Sequence, residues 1–373
     1  MGPLRCGYFR ERSPYYLNLH IEINPDQSLG YPAPFSLADF PFHRIQTLII
    51  YIPPGDLHYQ LWPTVLHSLT RLKAYNHFGS EPIPILQGDT LRDCQYLKEL
   101  ELDHVGISFN EAFVFPELSR ISLMDVFHSS FTSLSLKHLL ERAPHLKSLS
   151  HIGPDSVDTE DRSPTECDFQ PLSELTFLRV KCPSSGHLMA PFLKNSSLLP
   201  SIQHLSLRSI DEHVIDGFSD LLAQCSEVVS LTTLTLEVGS WIDTTYNDDN
   251  LEQHLRALRH FRSLERLEVV VGCQVDWGLG MDYATYFTTC LCEVLSACTA
   301  HPLFPALRII RFRGEAEPEA PVDAIIRMVE ARMKAATVSP ETLVPLESVT
   351  LEDCESFGID EYRELKAALG HSS

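Results

Sequence analysis

The sequence predicts an α/β architecture of stacked units, in which short parallel strands lie side by side and helical returns connect them. Three observations carry this. The pattern Leu-x-x-Leu-x-Leu, with Ile, Val or Phe allowed, recurs eleven times between Ile45 and Leu351. The last part of each copy alternates apolar and polar residues, as a strand with one buried face requires. Between copies, apolar residues fall at helical spacing, and a proline stands shortly before the next strand.

Taken in order, residues 1–40 form an N-terminal capping segment with a first strand near 15–23, and residues 41–373 form the repeat domain. Weaker copies begin at Ile45 and Leu69. Clear copies run from Leu97 to Leu102 and from Leu118 to Leu123. A third weaker copy begins at Leu146, with His151 where an aliphatic is expected. Clear copies then run from Leu175 to Val180, Ile202 to Leu207, Leu231 to Leu236, Leu264 to Val269, Leu307 to Phe312 and Leu346 to Leu351. Their middle residues are Leu48, Leu72, Leu100, Ile121, Leu149, Leu178, Leu205, Leu234, Leu267, Ile310 and Val349, spaced 21 to 43 residues apart.

One such strand cannot bury its Leu side alone, so neighbours must stack. A period in this range with this consensus is the mark of a leucine-rich-repeat solenoid. The expected form is an irregular horseshoe of about eleven repeats, with a parallel concave sheet and helices on the convex side.

The returns read as helices. Val214, Ile215, Phe218, Leu221 and Leu222 share one helical stripe. So do Leu251, Leu255, Leu258 and Phe261, and then Val322, Ile325, Ile326, Val329 and Met333. Pro116, Pro144, Pro171, Pro200, Pro305 and Pro345 are read as ending the helix before the strand, since proline has no N–H to continue it. The usual short repeat places Asn or Cys five residues after the middle position. Here those places hold Val105, Val126, Pro183, Ile210, Gly239, Gly272 and Glu315, and only Cys354 fits. Irregular curvature is therefore expected.

The irregular repeat length, the Pro-x-Leu approach to the strands and the long returns resemble the leucine-rich-repeat regions of fungal F-box-like proteins over roughly residues 40–370. The run from Arg12 to Ile23 is similar to the strand that follows the F-box there, and His43 to Leu48 to the next strand. The resemblance implies the substrate-recognition part of a ubiquitin-ligase receptor, intracellular in the cytoplasm or nucleus. In that family an F-box of about forty residues grips a Skp-type adaptor. Residues 1–14 are too short to hold one, so direct adaptor binding is not expected of this stretch.

Composition narrows the partner. A net charge of −21 argues against nucleic acid and anionic membranes. No run approaches the roughly 18 apolar residues that would span a bilayer, and the N-terminus lacks a secretory h-region. Ten cysteines without a Cys-x-x-Cys pair read as reduced core thiols. Cys290, Cys292 and Cys298 leave a thiol switch open as the alternative. No phosphate loop, zinc-protease helix or nucleophile elbow is present, and the 17 histidines show no metal-ligand spacing. No catalytic residue, metal or cofactor is expected.

The expected site is the concave face, where side chains flank the middle residue of each copy. Successive rows carry Arg71 and Lys73, then Glu99, Glu101 and Asp103, then Arg120 and Ser122. Later rows carry Thr233 and Glu237, Arg266 and Glu268, Ile309, Arg311 and Arg313, and finally Ser348 and Glu352. Most complement their neighbours in sign, which suits plain sheet surface. The exception is Phe177, Arg179, Lys181, His204 and Arg208, where basic and aromatic groups gather with only Glu237 opposing. That cluster is the candidate binding site for an acidic protein surface. The acidic tracts 153–170 and 314–321 read as rim loops. A structural or regulatory scaffold, such as an inhibitor or sensing module, is the alternative function.

Overall fold

A computed structural model of the chain describes residues 6–9, 17–22, 45–51, 67–76, 85–87, 91, 94–108, 114–124, 133–152, 170–181, 199–210, 231–238, 251, 255–256, 258–272, 283–297, 302–315, 321–352 and 358–370. The chain divides into two compact units, residues 1–175 and 176–373.

In the first unit the strands are β1 (Cys6–Phe9), β2 (Leu17–Glu22), β3 (Ile45–Tyr51), β4 (Arg71–Tyr75), β5 (Ile85–Gln87), β6 (Glu99–Asp103), β7 (Gly106–Ser108), β8 (Arg120–Met124) and β9 (Ser148–Ile152), with helix α1 (Ser133–Glu141) before β9. β2, β3, β4, β6, β8 and β9 pair in parallel in that order. β2 is the strand expected near 15–23. β1 joins it antiparallel and was not anticipated. β5 and β7 form a separate parallel pair.

In the second unit the strands are β10 (Phe177–Lys181), β11 (His204–Ile210), β12 (Thr233–Val238), β13 (Arg266–Gly272), β14 (Ile309–Glu315) and β15 (Ser348–Glu352). They pair in parallel in chain order. Helices α2 (Tyr283–Ser296), α3 (Val322–Val338) and α4 (Ile359–Ala368) return between or after them. α2 packs on β13 and α3, and α4 packs on α3.

All eleven copies of the pattern are strands of these parallel sheets, and the middle residues stand in one register. Leu48, Leu72, Leu100, Ile121 and Leu149 are direct partners from strand to strand. Leu178, Leu205, Leu234, Leu267, Ile310 and Val349 do the same in the second unit. Every one of them is buried to 5% exposure or less except Val349, which is half-buried with Leu351 on β15.

A second ladder precedes the strands and uses backbone alone. The N–H groups of Lys98 and Glu99 both donate to the Thr70 carbonyl, those of Ser119 and Arg120 to Lys98, and those of Lys147 and Ser148 to Ser119. The second unit repeats it. Gln203 and His204 donate to Thr176, Thr232 and Thr233 to Gln203, Glu265 and Arg266 to Thr232, Arg308 and Ile309 to Glu265, and Glu347 and Ser348 to Arg308.

Proline acts somewhat differently from the sequence expectation. A turn closed by a hydrogen bond between the first and fourth residues precedes the strands, as at Phe115 to Leu118, Ala143 to Leu146, Leu199 to Ile202 and Phe304 to Leu307. Pro116, Pro144, Pro200 and Pro305 occupy the second position of these turns, where a fixed φ is preorganised. The first turn residue, Phe115, Ala143, Leu199 or Phe304, is itself buried. Helix α1 ends at Glu141, before its turn begins.

The helical stripe at Val322, Ile325, Ile326 and Val329 is the buried face of α3, with Met333 half-buried. Arg332 on the same helix is fully buried, and its two terminal nitrogens donate to the carbonyls of Leu303 and Phe304 at 2.9 Å each. It ties α3 to the turn before β14. Leu251, Leu255, Leu258 and Phe261 are buried, but only Leu251, Leu255 and Arg256 are described as helical before a 3₁₀ turn at Leu258–His260. The stripe from Val214 to Leu222 lies outside the described residues.

Shortening a middle residue should open a cavity that a rigid stack cannot close. Leu267→Ala is expected to cost about 2–5 kcal/mol of stability. Val349→Ala, half-exposed at the sheet's last strand, should cost about 1 kcal/mol or less. Equal losses for the two in urea unfolding would contradict this picture.

Candidate interaction face

Because parallel partners lie opposite one another, side chains flanking the middle residues form columns across the sheet. In the first unit Arg71 opposes Glu99, and Glu99 opposes Arg120. Lys73 opposes Glu101, and Tyr75 opposes both Tyr51 and Asp103. Two of the three opposite-charge neighbours expected here pair. Arg71 contacts Glu99 at 2.5 Å and Lys73 contacts Glu101. Arg120 remains exposed and makes no ion pair among the described residues. Tyr51 and Tyr75 stack with ring centres 5.0 Å apart, and the Tyr75 hydroxyl donates to Glu101 at 2.7 Å. Burial, then that hydrogen bond, hold the Tyr75 phenol above its usual range.

His104 follows β6 with φ of 51°, a left-handed conformation that His adopts uncommonly. Its N–H donates to the Met124 carbonyl at 2.9 Å, and its ring Nδ1 lies 2.7 Å from Asp103 Oδ1. These contacts hold the turn after β6.

In the second unit β10, β11 and β12 bring the candidate residues together. Phe177 opposes His204, and Lys181 opposes Arg208. The Phe177 and His204 rings meet edge to face at 4.7 Å. His204 Nε2 shares a hydrogen bond with Thr235 Oγ1 at 2.9 Å. Arg208 and Glu237 are direct partners and form an ion pair at 3.4 Å.

Arg179 behaves in a way its sequence position did not reveal. Its lateral neighbour is Ser206, yet its guanidinium crosses β11 and donates to Glu237 at 2.5 Å. Ser206, 3% exposed beneath this bridge, donates to the same carboxylate at 3.3 Å. Glu237 therefore accepts from Arg179 and Ser206 and pairs with Arg208. Of the five predicted site residues, Arg179 and Arg208 thus meet at one carboxylate, while Phe177 and His204 pair with each other four positions earlier in the register, level with Thr233. Lys181 continues their column, and its side chain lies outside what is described.

Ser206, Thr235 and Glu237 were not singled out as a unit. The signal available was the small residue at each of the two central positions. Ser206 and Thr235 leave room for longer neighbours to reach over them, and both are buried as a result.

On β14, Arg311 pairs with Glu268 at 3.6 Å as expected, and also with Glu352, which stands opposite Arg313 rather than opposite Arg311. Arg266 and Arg313 are exposed and make no ion pair among the described residues. The described charged side chains on this face of the second unit are thus Arg179, Arg208, Arg266, Arg311 and Arg313 against Glu237, Glu268 and Glu352. On a chain of net charge −21 the face is locally cationic.

Other candidates fare differently. Cys292 is buried in α2, which pushes its thiol up to about 12, the reverse of a reactive thiolate. Cys290 is half-buried and Cys94 is buried, while Cys298 lies outside the described residues. The tract 153–170 is described only at Gln170, and 314–321 only at Gly314, Glu315 and Pro321. Among the described residues no three His, Cys, Asp or Glu stand together as metal ligands, and no helix is long and apolar enough to cross a membrane. No protein family's sequence pattern matches the chain, and it has no significant match among curated proteins.

Burial, foremost, lowers the His204 pKa against a smaller opposing pull from Glu268, and nearby Arg266 lowers it slightly further. The unfolded chain therefore binds a proton here more readily than the folded one. Stability is unaffected by this group above its ordinary value of 6.5 and is lost as pH falls from 6.5 toward the lowered folded value. Comparing urea unfolding at pH 7.5 and 5.5, His204→Asn should lose less stability on acidification than the wild type. An identical loss in both would sink the assignment. In a separate test, alkylation of the native chain followed by peptide mapping should modify Cys290 well before Cys94 and Cys292. Early labelling of Cys292 would contradict its burial.

Proposed function

We propose that this chain is a leucine-rich-repeat interaction module with no chemistry of its own, and that its β10–β12 face receives an acidic surface of a protein partner. By its resemblance to F-box-like receptors, it serves as the substrate-recognition part of a ubiquitin-ligase receptor in the cytoplasm or nucleus. The observation that carries the binding role is the gathering of Phe177, Arg179, His204 and Arg208 in adjacent rows of a chain that is otherwise strongly acidic. Stacked strands supply a rigid platform, so these side chains meet a partner with little further ordering. Aromatic and arginine groups side by side are also the residue types that dominate protein interfaces.

One observation favours a second reading, a structural or regulatory scaffold. Lateral pairs such as Arg71–Glu99, Lys73–Glu101 and Arg311–Glu352 occupy many of the face charges within the protein itself. Pairs this exposed contribute only about 1 kcal/mol or less each, so they stabilise the sheet weakly and do not by themselves require a partner.

The combined variant Arg179→Glu with Arg208→Glu should abolish capture of the native partner from cell extract, while circular dichroism shows the chain still folded. Undiminished capture would overturn the assigned face. If captured material contains a Skp-type adaptor and a cullin, the receptor reading stands. A retained partner without them selects the scaffold.

A further inference from the structure

The carboxylate at the centre of the candidate face is more than a neutralising neighbour. Arg179 from β10 and Ser206 and Arg208 from β11 converge on Glu237 of β12, at 2.5, 3.3 and 3.4 Å. Three donors from two strands thus form a cradle of carboxylate-binding type, already occupied by a side chain of the third. Among the described side chains on the β10–β12 face, Glu237 is the single anion. Arg179 reaches it across the whole width of β11, passing over the small, buried Ser206.

We propose that Glu237 is an internal stand-in for a partner's carboxylate. An acidic peptide segment binds by placing a Glu or Asp side chain on Arg179 and Arg208 while Glu237 swings aside. This rests on the reading of the face as a partner-binding site and names the chemistry it selects.

The geometry makes the exchange feasible. Arg208 holds Glu237 only through an ion pair at 3.4 Å, makes no hydrogen bond to it, and keeps 38% of its side chain exposed. Donors on Arg208 are therefore available to an incoming carboxylate before Glu237 has left Arg179. The cradle carries two guanidinium groups and one carboxylate, so it remains cationic while self-occupied and still attracts an anion. Replacing one carboxylate by another preserves the charge-assisted hydrogen bonds, so little desolvation is added. The Phe177 and His204 rings, four positions back along the strands from Glu237, offer an apolar surface to a neighbouring residue of the arriving segment. Arg266 and Arg313, exposed on the same face and without ion pairs among the described residues, suit further acidic residues of an extended segment.

The test is fluorescence anisotropy of a labelled hexaglutamate peptide against the full chain at low salt. Glu237→Gln should tighten binding on the order of tenfold, because the competing internal anion is gone. Glu237→Asp, whose shorter side chain reaches the arginines less well, should tighten it by less. Glu347→Gln, which removes a negative charge paired with Arg308 at the start of β15, should leave affinity unchanged. A purely structural Glu237 would weaken binding when altered, so tighter binding together with an equal or lower melting temperature is diagnostic. Equal or weaker binding by Glu237→Gln overturns the stand-in while leaving the face as a binding site, provided that the wild type binds and Arg179→Glu with Arg208→Glu does not. Absence of binding by both the wild type and Glu237→Gln overturns the stand-in and the reading of the face together.

Discussion

A parallel strand carries hydrogen-bonding groups on both edges and apolar side chains on one face, and neither requirement can be met within a single unit. Each repeat must therefore fit the one before it in two ways at once. The carbonyl ahead of each strand receives two N–H groups from the next unit, as Thr70 does from Lys98 and Glu99, and Gln203 from Thr232 and Thr233. Beneath the sheet, Leu234 lies on Leu267 and Leu267 on Ile310. A slip of one residue would break the first ladder and turn the second outward. Register is thus fixed from below and from the backbone, which leaves the upper side chains free to vary without loss of fold.

That freedom explains the composition of the open face. At the ladder position before the strand the residues are Thr70, Lys98, Ser119, Thr176, Gln203, Thr232, Glu265 and Arg308, which share no common side-chain chemistry because the ladder itself runs through their carbonyls. Thr70, Ser119 and Thr232 add a hydroxyl donated to the preceding unit's carbonyl, at 3.0, 3.2 and 3.3 Å. On the strands themselves, neighbours about 4.8 Å apart bring opposite charges within reach. Small residues then decide which charges meet. With Ser206 between them, Arg179 and Glu237 join across a strand, whereas Thr350 beside Arg311 lets it reach Glu352.

The repeat was legible because burial recurs at fixed offsets from each middle residue, and the same offsets named the lateral pairs Arg71–Glu99, Lys73–Glu101 and Glu268–Arg311. What stayed hidden depends on contacts without a period. β1 pairs antiparallel ahead of the repeats and belongs to no copy of the pattern. Arg332 looks like an exposed helix residue, and its burial follows from its two hydrogen bonds to the Leu303 and Phe304 carbonyls at the turn before β14. Four of the six prolines, Pro116, Pro144, Pro200 and Pro305, occupy the second position of a turn where a helix stop was expected, since both tasks favour a residue without N–H. Asn76 was passed over because it stands one residue before the usual Asn position. It is 1% exposed, and its side-chain amide has no hydrogen-bond partner among the described residues, so it does not build the Asn ladder of regular repeats. For the site, the basic cluster was visible as a list, but the diagonal reach of Arg179 required the strand order.

Lateral pairing changes what such a face is suited to bind. Arginines held by neighbouring carboxylates lose little rotamer freedom when a partner arrives, so ordering costs are low. The same pairs must be rearranged, so an uncharged surface gains nothing by touching them. Discrimination between partners is thereby favoured over raw affinity. The arrangement is also polar along the sheet. Two arginines share Glu237 at the β10–β12 side, whereas at β13–β15 a single Arg311 is shared by Glu268 and Glu352. With Arg266 and Arg313 included, arginine exceeds carboxylate at both ends, so the asymmetry lies in how the charges are shared and not in their sign.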